Sequence, residues 1–338
     1  MKKYITLITV VLLCACQQKV KEQNAKIKIV DDEITSIIDP FAEIEILADS
    51  IALPEGPVWD ANTNTLFFTD VINNSVHSWN ENEGVKTHIS PSGNTGYADN
   101  LGEGILGANG LKLTSSGSLI LCQHGDRRLA LIENTPTTKP EFLTLVDNYN
   151  GKRLNSPNDM SIAQDGSIYF TDPPFAFFDL QAFSFVETEM RELDFNGVFK
   201  LSPNAQKLEL ITDEIDVPNG IALSPDEKTL YVNKMGMLDG NPEVKKIDLE
   251  TLKVETLFSG KELAAQFQGN FDGMKVHSSG NIFTSGPGGL LVISPEGELK
   301  ASIDFGHITN CAFDEDEEYL YATGFVNNPK VFRLKLQY

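Results

Sequence analysis

The chain has 338 residues, of which 41% are hydrophobic and 9% aromatic. Its 48 acidic residues against 27 basic ones give a formal net charge of −21 at pH 7. Nucleic acid is a poor partner for such a surface, and so is direct electrostatic binding to anionic lipid.

From the N-terminus, Lys2 and Lys3 precede an apolar run from Ile5 to Leu13 that is too short to span a bilayer as a stable helix. The run ends in Leu13-Cys14-Ala15-Cys16, which resembles a bacterial lipobox, with cleavage before Cys16 and acylation of that cysteine. A plain secretory signal cleaved after Ala15 is the alternative. Residues 1–15 are thus expected to be a signal peptide, whose removal takes away two lysines and no acid and leaves −23. Residues 16–41 read as a tether carrying a lipidated Cys16. Gln17 follows the cysteine where inner-membrane retention would use Asp, so the expected location is the bacterial cell envelope. There the protein is held by its lipid on the outer membrane, facing periplasm or surface, with membrane contact only through the anchor.

Residues 42–338 read as six repeats. Each opens with an oxygen-bearing side chain, followed by an alternating apolar strand, a turn of Asp, Asn, Ser or Gly, and a second apolar strand. The heads are Glu55 (EGPVWDANTNTLFFTD), Asn109 (NGLKLTSSGSLILCQH), Asn158 (NDMSIAQDGSIYFTD), Asn219 (NGIALSPDEKTLYVNK), Asp272 (DGMKVHSSGNIFTSG) and Asn310 (NCAFDEDEEYLYATG). They lie 54, 49, 61, 53 and 38 residues apart, near the ~40–50 residues of a four-stranded propeller blade. Third and outer strands follow, as in VKKIDLE (244–250) and KVETLFSG (253–260). The last repeat stops one strand short, and AEIEILADS (42–50) supplies the missing strand. The expected fold is an all-β, six-bladed β-propeller with four-stranded blades, closed by the N-terminal strand pairing into the last blade, which removes the exposed sheet edges.

If every head begins an innermost strand, all six share one end of the axis, and the loops crowding that rim are the functional ones. These loops include Gln123-His124-Gly125-Asp126-Arg127-Arg128, the aromatic insertion 175–193, and the approach to Asn158 (GKRLNSP). The opposite rim has tight turns only. Cys122 and Cys311 fall in different blades and read as buried free thiols.

Calcium takes six to eight oxygen ligands from carboxylates, amide carbonyls and water. Glu55, Asn158, Asn219 and Asp272 offer four such groups, two of them anionic. Asn109 and Asn310 stand equally as turn residues or as contributors at the rim, where they would touch substrate. Glu55 has no turn preference to explain it. No His or Cys stands among the heads, which disfavours zinc and copper. Magnesium and manganese use the same ligands, and the sequence alone leaves the ion open, zinc included.

The stretches LPEGPVW, GANGL with CQHGDRR, RLNSPNDM with GSIYFTDPP, VPNGIALSPD, DGMKV and TNCAF resemble the senescence marker protein/gluconolactonase/LRE-like family of six-bladed calcium propellers, over essentially residues 43–338. The resemblance implies calcium-dependent hydrolysis of a lactone, typically a sugar lactone. It carries the metal ligands onto Glu55, Asn158, Asn219 and Asp272, and a substrate-contacting arginine onto Arg153.

The chemistry suits the residues. A bound cation polarises an ester carbonyl, and Asp272 is the head placed to accept a proton from the attacking water while also ligating. His124 is a candidate donor to the leaving alkoxide, with a satisfied rim histidine as the alternative; Arg127 and Arg128 could equally tie blades together. No GxSxG motif argues for a serine hydrolase. Two rival functions stand beside lactone hydrolysis: phosphotriester hydrolysis by the same metal chemistry, and a surface-anchored ligand-binding propeller whose calcium is structural.

Overall fold

Six antiparallel sheets follow one another along the chain, and the innermost strand of each touches the next until the sixth returns to the first. The structure is a computed structural model that describes residues 24, 26–324 and 329–337. The expected signal peptide, Cys16 and the first part of the tether lie outside the described residues.

The innermost strands are Pro54–Asp60, Ala108–Leu113, Met160–Ile162, Pro218–Leu223, Met274–Val276 and Ile308–Phe313. Each pairs with a hairpin partner, then a third and an outer strand, in simple sequence order in the first five blades. Ring closure is as expected. Ile44–Asp49 runs antiparallel to the C-terminal strand Lys330–Lys335 and forms the outer edge of blade six. Arg333 reinforces this closure, reaching Glu45 at 2.7 Å and Glu81 of blade one at 2.6 Å.

The expected tether ends earlier than residue 41. Ile27–Ile29 adds a fifth strand to blade five, pairing with Leu299–Ile303, and a short 3-10 helix follows at Asp32–Ser36. Burial of Ile27, Ile34 and Ile38 against the cores of blades five and six holds the segment down. Burying such aliphatic side chains stabilises by about 1.5–3 kcal/mol each, so docking is favoured over a free tether. Lys300 adds an ion pair to Asp31 at 2.7 Å.

The glycines after four of the heads have a purpose other than a turn. The backbone register shifts within Glu55–Val58, Ala108–Leu111, Pro218–Ile221 and Ile308–Asn310, so Glu55, Asn109, Asn219 and Asn310, the last followed by Cys311 and not by glycine, sit at bulges, which re-aim side chains. At Gly220 a Cβ would lie 2.4 Å from the Asp272 carbonyl, and at Gly56 it would lie 2.1 Å from that of Asn109. Only glycine permits this approach between blades. Hydrogen bonds then link the heads into a ring: Gly110 N–H to Asn158 C=O and Gly220 N–H to Asp272 C=O, both at 2.7 Å. Thr69 and Thr171 donate to the carbonyls of Asn109 and Asn219 at 3.0 and 2.7 Å.

Candidate functional site

A cavity of about 110 Å³ opens at the head end of the axis. Glu55, Asn109, His124, Asn158, Asn219 and Asp272 all line it. Six of the expected site residues, from blades one to five, therefore converge. Larger grooves lie elsewhere, one at the seam of blades one and six and one beside the cavity across Phe178 and Leu180, and none of these heads lines them.

Each head is held by its neighbours. Glu55, 3% exposed, accepts from Asn310 Nδ2 at 2.9 Å and from the Gly56 N–H. The Asn219 amide favours the charged form of Asp272, whose backbone N–H donates to Ser285 Oγ at 2.7 Å. Asn219 Nδ2 also donates to Met235 Sδ at 3.1 Å. The loop that delivers Asn158 hangs on Asp172, whose carboxylate accepts the N–H groups of Asn155 and Ser156, both at 2.8 Å. Burial nevertheless pushes Asp172 up to about 7.

The electrostatics of the two carboxylate heads are unusual. Burial raises Glu55 to about 7, and the charge of Asp159 adds to the rise. Burial, followed by repulsion from Glu55 and Asp159, lifts Asp272 well above the ordinary carboxylate range. A buried anion costs free energy unless it is paired. Beside them the Asn158 Oδ1 is buried without a hydrogen-bond partner among the described residues, although buried acceptors are almost always satisfied.

His124 is fully buried and stacks on Phe175 with ring centroids 5.8 Å apart. Its Nδ1 lies 3.0 Å from the Ile105 carbonyl, which can only accept, so Nδ1 carries the proton. Nε2 is then a lone pair that accepts from Asn158 Nδ2 at 3.3 Å. This bond turns Asn158 so that its oxygen is the free end. Burial pushes His124 down to about 4. A neutral imidazole with both nitrogens engaged has no proton to direct at a leaving group, so the expected donor role gives way to positioning of Asn158.

Two further expectations are corrected. Asn310 does not line the cavity. Its Nδ2 donates to Glu55 and, at 3.2 Å, to Asp159, while its Oδ1 accepts from the Cys311 N–H and from Lys275 Nζ. Both polar atoms of the amide are engaged, and only Nδ2 reaches Glu55. Arg153 also lies outside the cavity lining. It stands on the ribbon formed by Asn148–Tyr149 and Lys152–Arg153, paired with Asp147 at 3.4 Å and 5.3 Å from the Tyr97 ring. Arg127 and Arg128 are structural: Arg127 donates to the carbonyls of Leu154, Asn155 and Met190, and Arg128 pairs with Asp126 at 3.2 Å. Cys122 and Cys311 are buried free thiols, as expected.

Several residues at or behind the site carried no sequence signal of their own. Asn270 lines the cavity from the loop leading into Asp272, and Thr309 from the innermost strand of blade six, next to Asn310. Behind the heads, Asp159 pairs with Lys275 at 3.5 Å, joining the Glu55 clamp to a buried charge pair. Their adjacency to the heads at positions 158, 272 and 310 was the available clue.

A six-bladed propeller that gathers carboxylates and amides from different blades at one end of its axis is built to offer oxygen ligands to a small cavity. Residues 53–325 match the SMP-30/gluconolactonase/LRE-like region, and the chain belongs to that family. It is similar to a gluconolactonase of Zymomonas mobilis, 36% identical over 308 residues, which cover 88% of this chain and 83% of the relative. Among solved structures it is similar to a gluconolactonase of Xanthomonas campestris, with a TM-score of 0.75 and 28% identity, covering 92% of this chain and 94% of that one. A calcium-binding protein, regucalcin, from Agrobacterium tumefaciens shares the fold at a TM-score of 0.64 and 15% identity, over 88% of this chain and 95% of that one.

Proposed function

We propose that this protein is a divalent-metal-dependent lactonase, with calcium the expected ion and sugar lactones the first substrates to test. The observation that carries the reading is the partnerless Asn158 Oδ1 set beside two buried, mutually repelling carboxylates, Glu55 and Asp272. A cation answers both deficits at once, and all-oxygen donors suit a hard ion. Family membership and the gluconolactonase relatives support the same reading.

Glu55, Asn158, Asn219 and Asp272 would hold the ion. When bound, it would supply a Lewis acid that polarises the ester carbonyl and offsets the negative charge developing on its oxygen. The chain's own residues do the rest. Asp272 accepts a proton from the attacking water as the water oxygen bonds to the carbonyl carbon. The ring C–O bond then breaks, and the proton returns from Asp272 to the alkoxide, giving the open hydroxy acid. Asn219 orients the Asp272 carboxylate, His124 holds the Asn158 oxygen outward, and Asn310 fixes Glu55. Asn109, at the cavity wall, is positioned to touch the substrate. We also place the protein on a lipid tether: residues 1–15 as signal peptide and Cys16 as the acylated residue, with the folded part beginning near Lys26.

A panel of lactones and phosphotriesters, followed with a pH indicator with and without chelator, tests the reading. Chelator-sensitive lactone opening supports it. Turnover of phosphotriesters alone would make the protein a phosphotriesterase, and turnover of neither would leave a binding propeller.

A further inference from the structure

The cavity is chemically two-sided. Five heads with His124, Asn270, His307 and Thr309 make its polar side, and the rest of its lining is apolar, Phe175, Phe178, Leu180, Phe183 and Met235 among it. Among the described residues, Glu55 and Asp272 are the carboxylates that line it, and no lysine or arginine does. A ring bearing hydroxyls all round would leave some of them against Phe, Leu and Met, where an unpaired polar group is penalised.

Much of the apolar side is built by the insertion between the second strand, Ile168–Asp172, and the third strand, Gly197–Leu201, of blade three, and it is held firmly. Phe178–Asp179 pairs with Ser184–Phe185 as a small ribbon. The Phe178 ring centroid lies 6.0 Å from that of Phe175, 5.2 Å from Phe185 and 5.3 Å from Phe183. Below them the Arg127 guanidinium sits 5.0 Å from the Phe177 ring. Packing explains Phe175 and Phe178, which are buried, but not the ribbon's tip. Phe183 is 67% exposed and Leu180 is 41% exposed, although both border the cavity. Phe183 also adopts φ 51°, a left-handed conformation rare for a bulky residue. An outlying backbone that holds a large apolar side chain in water beside a cavity points to a ligand that covers it.

Resting on the lactonase reading, we propose that the site prefers a lactone carrying an apolar substituent of several carbons over a ring bearing only hydroxyls. The ring carbonyl lies at the heads, and the substituent runs along Phe178, Leu180 and Phe183.

The test compares δ-valerolactone, δ-octalactone, δ-decalactone and glucono-δ-lactone on the calcium-loaded protein. Each added methylene should raise kcat/KM by about two- to fourfold while it still meets the wall. The pentyl chain of δ-decalactone should therefore gain at least about tenfold over δ-valerolactone and exceed glucono-δ-lactone. Phe183→Ser should lower the decalactone-to-valerolactone ratio at least about threefold, and Phe183→Leu should restore most of it. A flat response to chain length, or glucono-δ-lactone as the better substrate, overturns the proposal. Calorimetry with 6-pentyl-2-piperidinone against 2-piperidinone, lactams that resist hydrolysis, separates the two readings. Tighter binding of the pentyl lactam without turnover of any lactone sinks the lactonase reading and upholds the apolar wall. Equal binding of the two lactams sinks the wall whatever the turnover.

Discussion

His124→Phe separates positioning from proton donation. The substituted ring keeps the stack on Phe175 and removes both imidazole nitrogens. Two hydrogen bonds are lost, one of 3.0 Å to the Ile105 carbonyl and one of 3.3 Å from Asn158 Nδ2. A buried partner left unsatisfied costs about 1–3 kcal/mol. The second bond is long, so the pair should be worth about 2–4 kcal/mol and lower Tm by several degrees. With Nε2 gone, nothing fixes which end of the Asn158 amide faces the cavity. Loss of a group that orients a metal ligand typically weakens affinity about 10–100-fold. Calcium titration by calorimetry should show that loss, and kcat for a lactone should return close to wild type at saturating calcium. Because His124 is pushed down to about 4, the wild-type rate profile should show no titration of this histidine between pH 5 and 8. Unchanged calcium affinity with kcat reduced by about 10²–10⁴, the usual worth of a general acid, would refute the positioning role.

Asp272→Asn keeps an oxygen donor but removes the proton acceptor, so turnover at saturating calcium should fall by about 10²–10⁴, while Asn158→Asp should bind calcium at least comparably and perturb turnover less; near-wild-type turnover for Asp272→Asn would leave that residue a ligand only. The metal-free protein should lose stability as pH rises. Glu55 is raised to about 7 and Asp272 well above its ordinary range, so the folded state binds more protons than the unfolded. Their contribution is fully present below the ordinary carboxyl range and is lost as pH climbs through the folded values. Differential scanning of chelated protein should therefore show Tm falling from pH 5 to 8, with calcium raising Tm more at pH 8; a calcium effect that is larger at pH 5 would contradict this. Cys16→Ser should move the full-length protein from the detergent phase to the aqueous phase, since acyl chains contribute about 0.8 kcal/mol per buried methylene; wild-type protein in the aqueous phase with an unmodified Cys16 by mass spectrometry would overturn the anchor.

The blades were legible because a period of two in side-chain direction and turn residues at regular intervals are local signals, repeated six times. The convergence of Glu55, Asn158, Asn219 and Asp272 followed from the ring alone, since equivalent positions in a closed repeat share one end of the axis. What sequence could not supply was orientation. Asn310 is a head like the others, yet its amide turns to Glu55, Asp159 and Lys275 because a buried charge pair there competes for it. Arg153 precedes Asn158 by five residues, but the ribbon it stands on carries it to Asp147 and Tyr97. Lys26-Ile27-Lys28-Ile29 alternates as a strand should, but four residues beside a polar stretch read as tether until Ile27 is seen buried. The glycines after Glu55, Asn109 and Asn219 looked like turn chemistry; their cause is the carbonyl of the next head, on a blade some 50 positions away in the chain.

The central claim is that the head oxygens hold one divalent cation on which hydrolysis depends. Protein stripped with chelator, its metal content checked by elemental analysis, can be titrated with calcium while lactone hydrolysis and Tm are followed together. Activity should be absent at the start and return with the first equivalent of calcium, and Tm should rise in step because the ion binds only the folded state. Full hydrolysis by protein shown to be metal-free would contradict the account.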